Sequence, residues 1–261
     1  MSETVLPVMA SDRLGELVGL IKGADSVELK LTVPDVDRRS AVQALGVDVL
    51  DAQIRQVYFF DTADLALDRG GLVVRARRIQ NKQGDSVVKL RPVVPADLSA
   101  KLRMSPGFGV EVDAMPGGFT CSASMKGLAD NEEVREVAGR TRPIRKVFSK
   151  AQRAFFDGYA PDGVSMDDLL VLGPINVFKL KFTPAGWSRR LVAELWNYPD
   201  GSRILELSTK CDPASAFDVA VESRVLLSDL GIDLSGAQQT KTRTALEYFA
   251  GELAAAKAEE S

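Results

Sequence analysis

Charged residues alternate with apolar residues in several short segments of the sequence. Pairs of charged residues two positions apart are Glu28/Lys30, Arg75/Arg77, Lys89/Arg91, Glu111/Asp113 and Lys179/Lys181. Because residues i and i+2 of a strand share a face, each segment predicts a strand with one apolar and one charged face. Lysine and arginine bind phosphate oxygens, and carboxylates bind hard cations such as Mg²⁺. From alternation alone, a charged face that simply meets solvent is the more common explanation.

The first predicted hairpin gathers cations. A turn near residue 83 places Arg77 opposite Lys89, and the same register places Arg75 opposite Arg91. Like charges directly opposite each other destabilise a sheet. Four cations on one face therefore indicate a bound anion.

The second predicted hairpin gathers carboxylates. Its turn is the segment PDG at 199–201, in which glycine supplies the left-handed position. This register places Glu194 opposite Glu206 and keeps one other face apolar, with Leu191, Ala193, Leu195, Leu205 and Leu207. Facing carboxylates repel unless a cation lies between them, so the hairpin predicts a divalent metal ion at this point.

Composition narrows the chemistry further. The 261 residues include 33 Lys+Arg and 36 Asp+Glu, for a formal net charge of −3, and no histidine. The absence of histidine excludes Ser-His-Asp and Cys-His catalysis and HExxH zinc sites. No GxxxxGK[ST] or GxGxxG loop occurs. Catalysis must therefore use carboxylates, Lys, Arg, Tyr, hydroxyl groups or an oxygen-ligated metal such as Mg²⁺ or Mn²⁺.

The order of elements predicts one α+β domain over 1–261, built on an antiparallel sheet or barrel. Strands are expected across about 26–210, including a long one at 144–156, with a helix at 120–139 and C-terminal helices within 214–253. Lys241 and Arg243 could cap the end of the barrel from the last helix, although an exposed helix face explains them equally well. No transmembrane run and no signal-like N-terminus is found, which favours a cytoplasmic protein.

Several segments, in order, resemble the CYTH superfamily, also called triphosphate tunnel metalloenzymes. SVELKLTV (26–33) is similar to the family's ExExK strand, and YFFDTADLALDRGGLVVRARR (58–78) to its YFDT…LRxR block. The other similar segments are DSVVKLRP (85–92), GVEVD (109–113), RKVFSKAQRAFF (145–156) as an arginine-bearing strand, and the closing pair VAELW and RILELS. The resemblance covers about 26–210.

The resemblance implies an eight-stranded antiparallel β-barrel, the triphosphate tunnel, with external helices. It also implies metal-dependent chemistry on a triphosphate, with Mg²⁺ or Mn²⁺ as cofactor. Phosphate would be bound by Lys30, Arg75, Arg77, Lys89, Arg91, Arg153, Lys179 and Lys181. Metal would be held by Glu28, Asp113, Glu194 and Glu206. The residues in catalytic positions would be Glu28, Lys30 and Glu111, the last orienting the attacking water.

Two positions depart from the family pattern, and both lose a carboxylate. Ser26 stands where the first Glu of ExExK is expected, and Ser208 where a second closing Glu is expected. Three functions therefore stay open. They are hydrolysis of a triphosphate, foremost inorganic tripolyphosphate; binding of polyphosphate or nucleotide without hydrolysis; and adenylyl cyclase activity. The expected partner is a small triphosphate or polyphosphate, with no membrane or nucleic acid, and a homodimer is left open.

Overall fold

In the computed structural model, residues 11–234, 238 and 240–259 are described, and they form a barrel with helices packed around it. The nine strands in this part of the chain are β1 Ser26–Val33, β2 Gln53–Asp61, β3 Leu72–Ile79, β4 Gly84–Leu90, β5 Phe108–Met115, β6 Gly118–Ala129, β7 Leu170–Phe182, β8 Leu191–Asn197 and β9 Arg203–Cys211. The α-helices are α1 Ser11–Gly23, α2 Arg38–Ala44, α3 Ala66–Arg69, α4 Ala100–Arg103, α5 Asn131–Ala138, α6 Lys150–Asp157, α7 Ala216–Asp229 and α8 Lys241–Glu259. None of these helices is long and apolar enough to cross a membrane.

The strands close into a barrel in the order β1-β5-β6-β4-β3-β2-β7-β8-β9. β1 pairs with β9 in antiparallel and with β5 in parallel orientation, and the other pairs are antiparallel. The barrel is therefore mixed, with nine strands among the described residues, rather than the eight antiparallel strands expected. The parallel pair arises because the β5–β6 hairpin inserts with β6 beside β4, which leaves β5 to meet β1.

The segment 120–139, expected as a helix, is a strand followed by a helix. In β6, Cys121, Ala123 and Met125 belong to the main apolar core, whereas the buried residues Ser122 and Ser124 alternate with them. This period of two is that of a strand. The helix α5 begins only at Asn131, where the Asp130 carboxylate accepts from the backbone N–H of Glu132 and caps it.

The segment 144–156, expected as a strand, is a 3₁₀ turn at Ile144–Val147 followed by α6. A capping box starts this helix, because the Ser149 hydroxyl accepts from the Gln152 N–H and the Gln152 side chain accepts from the Ser149 N–H. Gln152 is buried and also joins the helix to the barrel, accepting from the Ser86 hydroxyl and donating to the Met125 carbonyl. The local capping signal S-x-x-Q therefore overrides the alternating pattern.

The main core lies outside the barrel wall, between the strands and the helices. It joins alternate residues of β3, β4, β5 and β6 to side chains of α1, α5 and α6, namely Val74, Ala76, Val88, Val112 and Ala123 with Leu17, Ile21, Val134, Val137, Phe155 and Phe156. Because successive side chains of a strand point to opposite faces, the remaining residues of these strands point into the barrel.

Helix α8 closes one end of the barrel from within. Its buried residues Ala245 and Leu246 pack in one cluster with Val57, Phe59 and Trp196, which lie on the inward faces of β2 and β8. The closure leaves the opposite end of the barrel, where β2 begins and β7 ends, as the entrance to the interior.

Candidate active site in the barrel interior

Strand registers bring the predicted charged residues of β1 and β5 together inside the barrel. The parallel pairing of β1 with β5 places Glu28 beside Asp113 and Ser26 beside Glu111. On the other side of β1, Lys30 lies opposite Ser208 of β9. All of these residues alternate with core-packed apolar residues, so the charged face predicted from sequence is the inner face.

Three carboxylates form one acidic cluster on this face. Glu28, Glu111 and Asp113 each offer a carboxylate oxygen, and these oxygens lie within 4.8 Å of one another. The Lys30 Nζ is 3.1 Å from Glu28 Oε2 and 2.8 Å from Asp113 Oδ1. The Lys89 Nζ is 3.2 Å from Asp113 Oδ2. The cluster is thus a set of hard oxygen donors whose mutual repulsion is offset by ammonium groups.

The third carboxylate of the cluster has a different environment. Glu111 contacts the ammonium of Lys210, whose side chain is 52% exposed, and accepts a 3.3 Å hydrogen bond from the Ser26 hydroxyl. Ser26 therefore occupies the position of the missing carboxylate and donates a hydrogen bond where a carboxylate would repel Glu111.

The pKa shifts in the cluster follow from burial and ion pairing. Burial alone would raise the pKa of Asp113, but the ammonium groups of Lys89 and Lys30 outweigh it and hold that pKa well below its usual range. Burial would lower the pKa of Lys30, but Asp113, Glu28 and Glu206 raise it above its usual value. The paired groups are therefore charged at neutral pH.

The second predicted hairpin has the register expected from its sequence. Glu194 lies directly opposite Glu206, and the leucine-rich face of β8 and β9 packs in a separate apolar cluster. A cation does lie between the two carboxylates, and it is the ammonium of Lys241, 2.5 Å from Glu194 Oε2 and 2.6 Å from Glu206 Oε1. Lys179 pairs with the same Glu194 at 2.6 Å.

The pKa values of Glu194 and Lys241 also reflect ion pairing that outweighs burial. Burial would raise the pKa of Glu194, but Lys241 and Lys179 lower it well below its usual range. Burial would lower the pKa of Lys241, but Glu194 and Glu206 raise it above its usual value. Trp196 adds an indole N–H hydrogen bond of 3.3 Å to Glu194.

The register predicted for the first hairpin is wrong. Arg77 lies opposite Asp85, not Lys89, and Arg75 lies opposite Val87, not Arg91. Arg77 makes a two-pronged ion pair with Asp85, with Nε 2.7 Å from Oδ1 and Nη2 2.5 Å from Oδ2. A guanidinium–carboxylate pair across the hairpin is favoured over two facing cations, and it selects this register.

Arg75 nevertheless stays inside the barrel as a cation without a direct ion-pair partner among the described residues, and the charges of Asp85 and Glu194 act on it from further away. It makes no ion pair with any described residue, and its Nε is buried with no hydrogen-bond partner among them. Burial and the neighbouring charge of Arg77 lower the pKa of Arg75 to about 9. Since buried polar groups are normally paired, this guanidinium indicates an anionic ligand.

The structure separates the remaining predicted phosphate ligands. Lys181 is exposed on the same face of β7 as Lys179, and Arg91 is half-buried just beyond the end of β4. Arg153 lies on α6, outside the barrel wall, where its Nη1 donates to the Phe148 carbonyl at 2.6 Å. The prediction of Arg153 as a strand residue is wrong because the capping box turns this segment into a helix.

Sequence reasoning missed three charged residues of the inner face, Arg55, Asp85 and Lys210. Arg55 lies on β2, whose next inward residues, Val57 and Phe59, are apolar, so no charged alternation marks it.

At the open end is a cavity of about 790 Å³ whose mainly uncharged lining includes the cations Arg55, Lys82, Lys179 and Lys181 and the carboxylates Asp48 and Asp51.

The donor set of the acidic cluster fits a divalent metal. Glu28, Glu111 and Asp113 supply three carboxylate oxygens close together, the ligand type of Mg²⁺ and Mn²⁺. Ser208, on the inner face between Lys30 and Val192, supplies no carboxylate. Among the described residues, this cluster is the one group of three carboxylates close enough together to share an ion.

No family model and no curated protein matches the chain. Solved structures do. A putative adenylyl cyclase from Hippeastrum, HpAC1, with a dominant triphosphatase activity, is similar over 81% of this chain and 91% of its own, at 18% identity and a TM-score of 0.57. The chain therefore has the β-barrel fold of this protein. A putative adenylate cyclase from Bacillus halodurans shares this tunnel fold over 84% of the chain and 97% of its own, at 14% identity and a TM-score of 0.57. The charged inner face described above is the wall of that tunnel.

Proposed function

We propose that the protein binds a triphosphate in the tunnel and hydrolyses it with a divalent metal, with inorganic tripolyphosphate as the expected substrate. The observation that carries the proposal is Arg75, a guanidinium on the inner face of β3 that forms no ion pair with a described residue and whose buried Nε has no hydrogen-bond partner among them. A phosphate group is the ligand that satisfies both its charge and its planar donor geometry.

The phosphate chain would lie along the cationic side of the tunnel. Arg75 and Lys89 project from the adjacent strands β3 and β4, and Arg77 lies one inward position further toward the open end. Their charges would neutralise the phosphoryl oxygens as negative charge develops on the leaving phosphate. Lys30, which is paired with Glu28 and Asp113, would hold the phosphate beside the carboxylates.

The divalent metal would be held by Glu28, Asp113 and Glu111. When bound, Mg²⁺ or Mn²⁺ polarises a phosphoryl oxygen and offsets its charge. Because the chain has no histidine, Glu111 is proposed to orient the attacking water by accepting its hydrogen bond. The triphosphatase activity of the Hippeastrum neighbour is consistent with this chemistry.

The test is phosphate release from tripolyphosphate with Mg²⁺, with Mn²⁺ and with chelator, and with ATP run in parallel. We expect metal-dependent release from tripolyphosphate and its loss in Arg75→Met. Arg153→Met is the matched control, because Arg153 lies outside the tunnel wall, and it should keep the wild-type rate. Cyclic AMP formed from ATP would favour cyclase activity instead.

A second candidate, binding without hydrolysis, is favoured by the two serines. Ser26 and Ser208 both lie on the inner face, where carboxylates would add metal ligands. In that case tripolyphosphate would bind with chelator present and no phosphate would be released. The double variant Ser26→Glu/Ser208→Glu would then gain release, whereas strong release by the natural chain would exclude this candidate.

A further inference from the structure

The ammonium of Lys241 occupies the place where the facing carboxylates of the second hairpin predicted a divalent ion. It lies 2.5 Å from Glu194 and 2.6 Å from Glu206. These are direct ion pairs with both members of the carboxylate pair. The Lys241 side chain thus relieves the repulsion between the two carboxylates from which a metal ion was predicted.

Lys241 is fixed there at both its ends. The Tyr198 hydroxyl donates a 3.0 Å hydrogen bond to its backbone carbonyl, and its Nζ lies 5.2 Å from the centroid of the Trp196 ring. It opens α8, whose residues Ala245 and Leu246 are 0% and 2% exposed against the inner wall. The helix position, the Tyr198 hydrogen bond and the Trp196 contact therefore all hold the ammonium close to the two carboxylates.

The local charges are already balanced. Glu194 and Glu206 carry two negative charges, and Lys241 and Lys179 bring two ammonium groups within hydrogen-bonding distance of them. The Glu194 and Glu206 side chains are only 11% and 6% exposed. A divalent ion added here would leave two uncompensated positive charges in a buried site, which is strongly unfavourable.

The acidic cluster of Glu28, Glu111 and Asp113 differs in access. Glu111 is paired with Lys210, and that side chain is 52% exposed, so it can move into solvent and free its carboxylate. Glu28 is itself 26% exposed. A metal can replace the Lys210 ammonium here while Lys30 and Lys89 stay paired with Asp113, which leaves one excess positive charge rather than the two expected at Glu194 and Glu206.

We propose that Lys241 is a built-in cation that excludes divalent metal from the Glu194–Glu206 pair and confines it to the Glu28–Glu111–Asp113 cluster. Removal of the ammonium opens a second metal site between Glu194 and Glu206. The part concerning the cluster rests on the proposed function, whereas the part concerning Lys241 does not.

The test is titration of the metal-free full-length protein with Mn²⁺, without substrate, read by calorimetry and by the electron paramagnetic resonance signal of free Mn²⁺. We expect one bound ion in the wild type and two in Lys241→Ala. Lys241→Arg keeps a cation and should bind one. Arg243→Ala is the matched control on the same helix, since Arg243 is exposed and pairs only with Glu247 among the described residues, and it should also bind one.

Two ions in the wild type, or no additional ion in a folded Lys241→Ala, would overturn the proposal. If Lys241→Ala fails to fold, the Mn²⁺ affinity of Glu206→Gln tests the proposal instead, because this variant leaves Lys241 paired with Glu194. The proposal expects Mn²⁺ affinity in Glu206→Gln within twofold of wild type, and a tenfold loss would overturn it. The wild type could also bind no Mn²⁺ while Lys241→Ala binds one ion. That result would refute the metal site at the acidic cluster on which the proposed function rests, but it would support the role of Lys241.

Discussion

Arg75 and Arg77 lie two residues apart on β3 and share its inward face, yet their surroundings differ. Arg77 is matched by Asp85 through two hydrogen bonds, whereas Arg75 faces Val87 and has no carboxylate partner among the described residues. A buried charge without a partner costs stability in the free protein. Arg77 is therefore held by an ion pair within the chain. Arg75 has no such pair among the described residues, so its guanidinium donors are available to a ligand.

The first prediction compares substitutions of these two residues. Arg75→Met should raise the Tm of the ligand-free protein, because it removes an uncompensated buried charge. Arg77→Met should lower the free energy of unfolding by about 2 kcal/mol, because it leaves Asp85 unpaired in a partly buried site. Thermal unfolding of both variants measures this, and equal destabilisation by the two would contradict it.

The second prediction concerns acid stability at Asp113. Its folded pKa lies below its unfolded value of about 3.9, because Lys89 and Lys30 outweigh burial, so the ionised carboxylate stabilises the fold above about pH 4. That contribution is lost as the pH falls through the folded pKa. Asp113→Asn should cost about 3 kcal/mol at pH 7 in chelator. The difference in unfolding free energy from wild type should shrink below about pH 4, and a difference that stays constant down to pH 3 would refute the assignment.

At the scale of elements, helix α6 shows where alternation fails as a guide. The segment 144–156 carries cations and apolar residues in a strand-like order, but Ser149 and Gln152 form a capping box that the pattern of alternation does not include. By contrast, the β8–β9 register was predicted correctly, because a short turn and a five-residue apolar face allow only one alignment. The β3–β4 register failed because the hairpin is centred at residue 81 rather than 83, which places Asp85 opposite Arg77.

The third prediction tests the attachment of α6. Gln152→Ala removes hydrogen bonds to Ser86, Ser149 and the Met125 carbonyl, all at a buried position. It should lower the free energy of unfolding by about 2–3 kcal/mol, the cost of leaving buried polar groups unpaired. Chemical denaturation measures the change. Lys150→Ala, an exposed substitution in the same turn, is the control and should stay within about 0.5 kcal/mol of wild type.

At the scale of the whole molecule, the sequence predicts which face of a strand is charged, and with which sign, better than it predicts which strands pair. Alternation alone placed Glu28 with Lys30, and Glu111 with Asp113, on the charged face of their respective strands. It could not show that β1 pairs in parallel with β5, since that contact joins residues about 85 positions apart and depends on closure of the barrel. Nor could it decide whether Lys241 is exposed or enclosed, because its place depends on where Ala245 and Leu246 pack.

The central claim is that a triphosphate binds in the tunnel at the unpaired guanidinium of Arg75. The most direct measurement is calorimetric titration of tripolyphosphate into wild type, Arg75→Met and Arg153→Met at fixed salt. Loss of charge-assisted hydrogen bonds to phosphate costs about 2–3 kcal/mol, so Arg75→Met should bind roughly 30- to 150-fold more weakly. Arg153→Met should bind as wild type does. Equal affinity in all three proteins, or no binding to the wild type, would contradict the account.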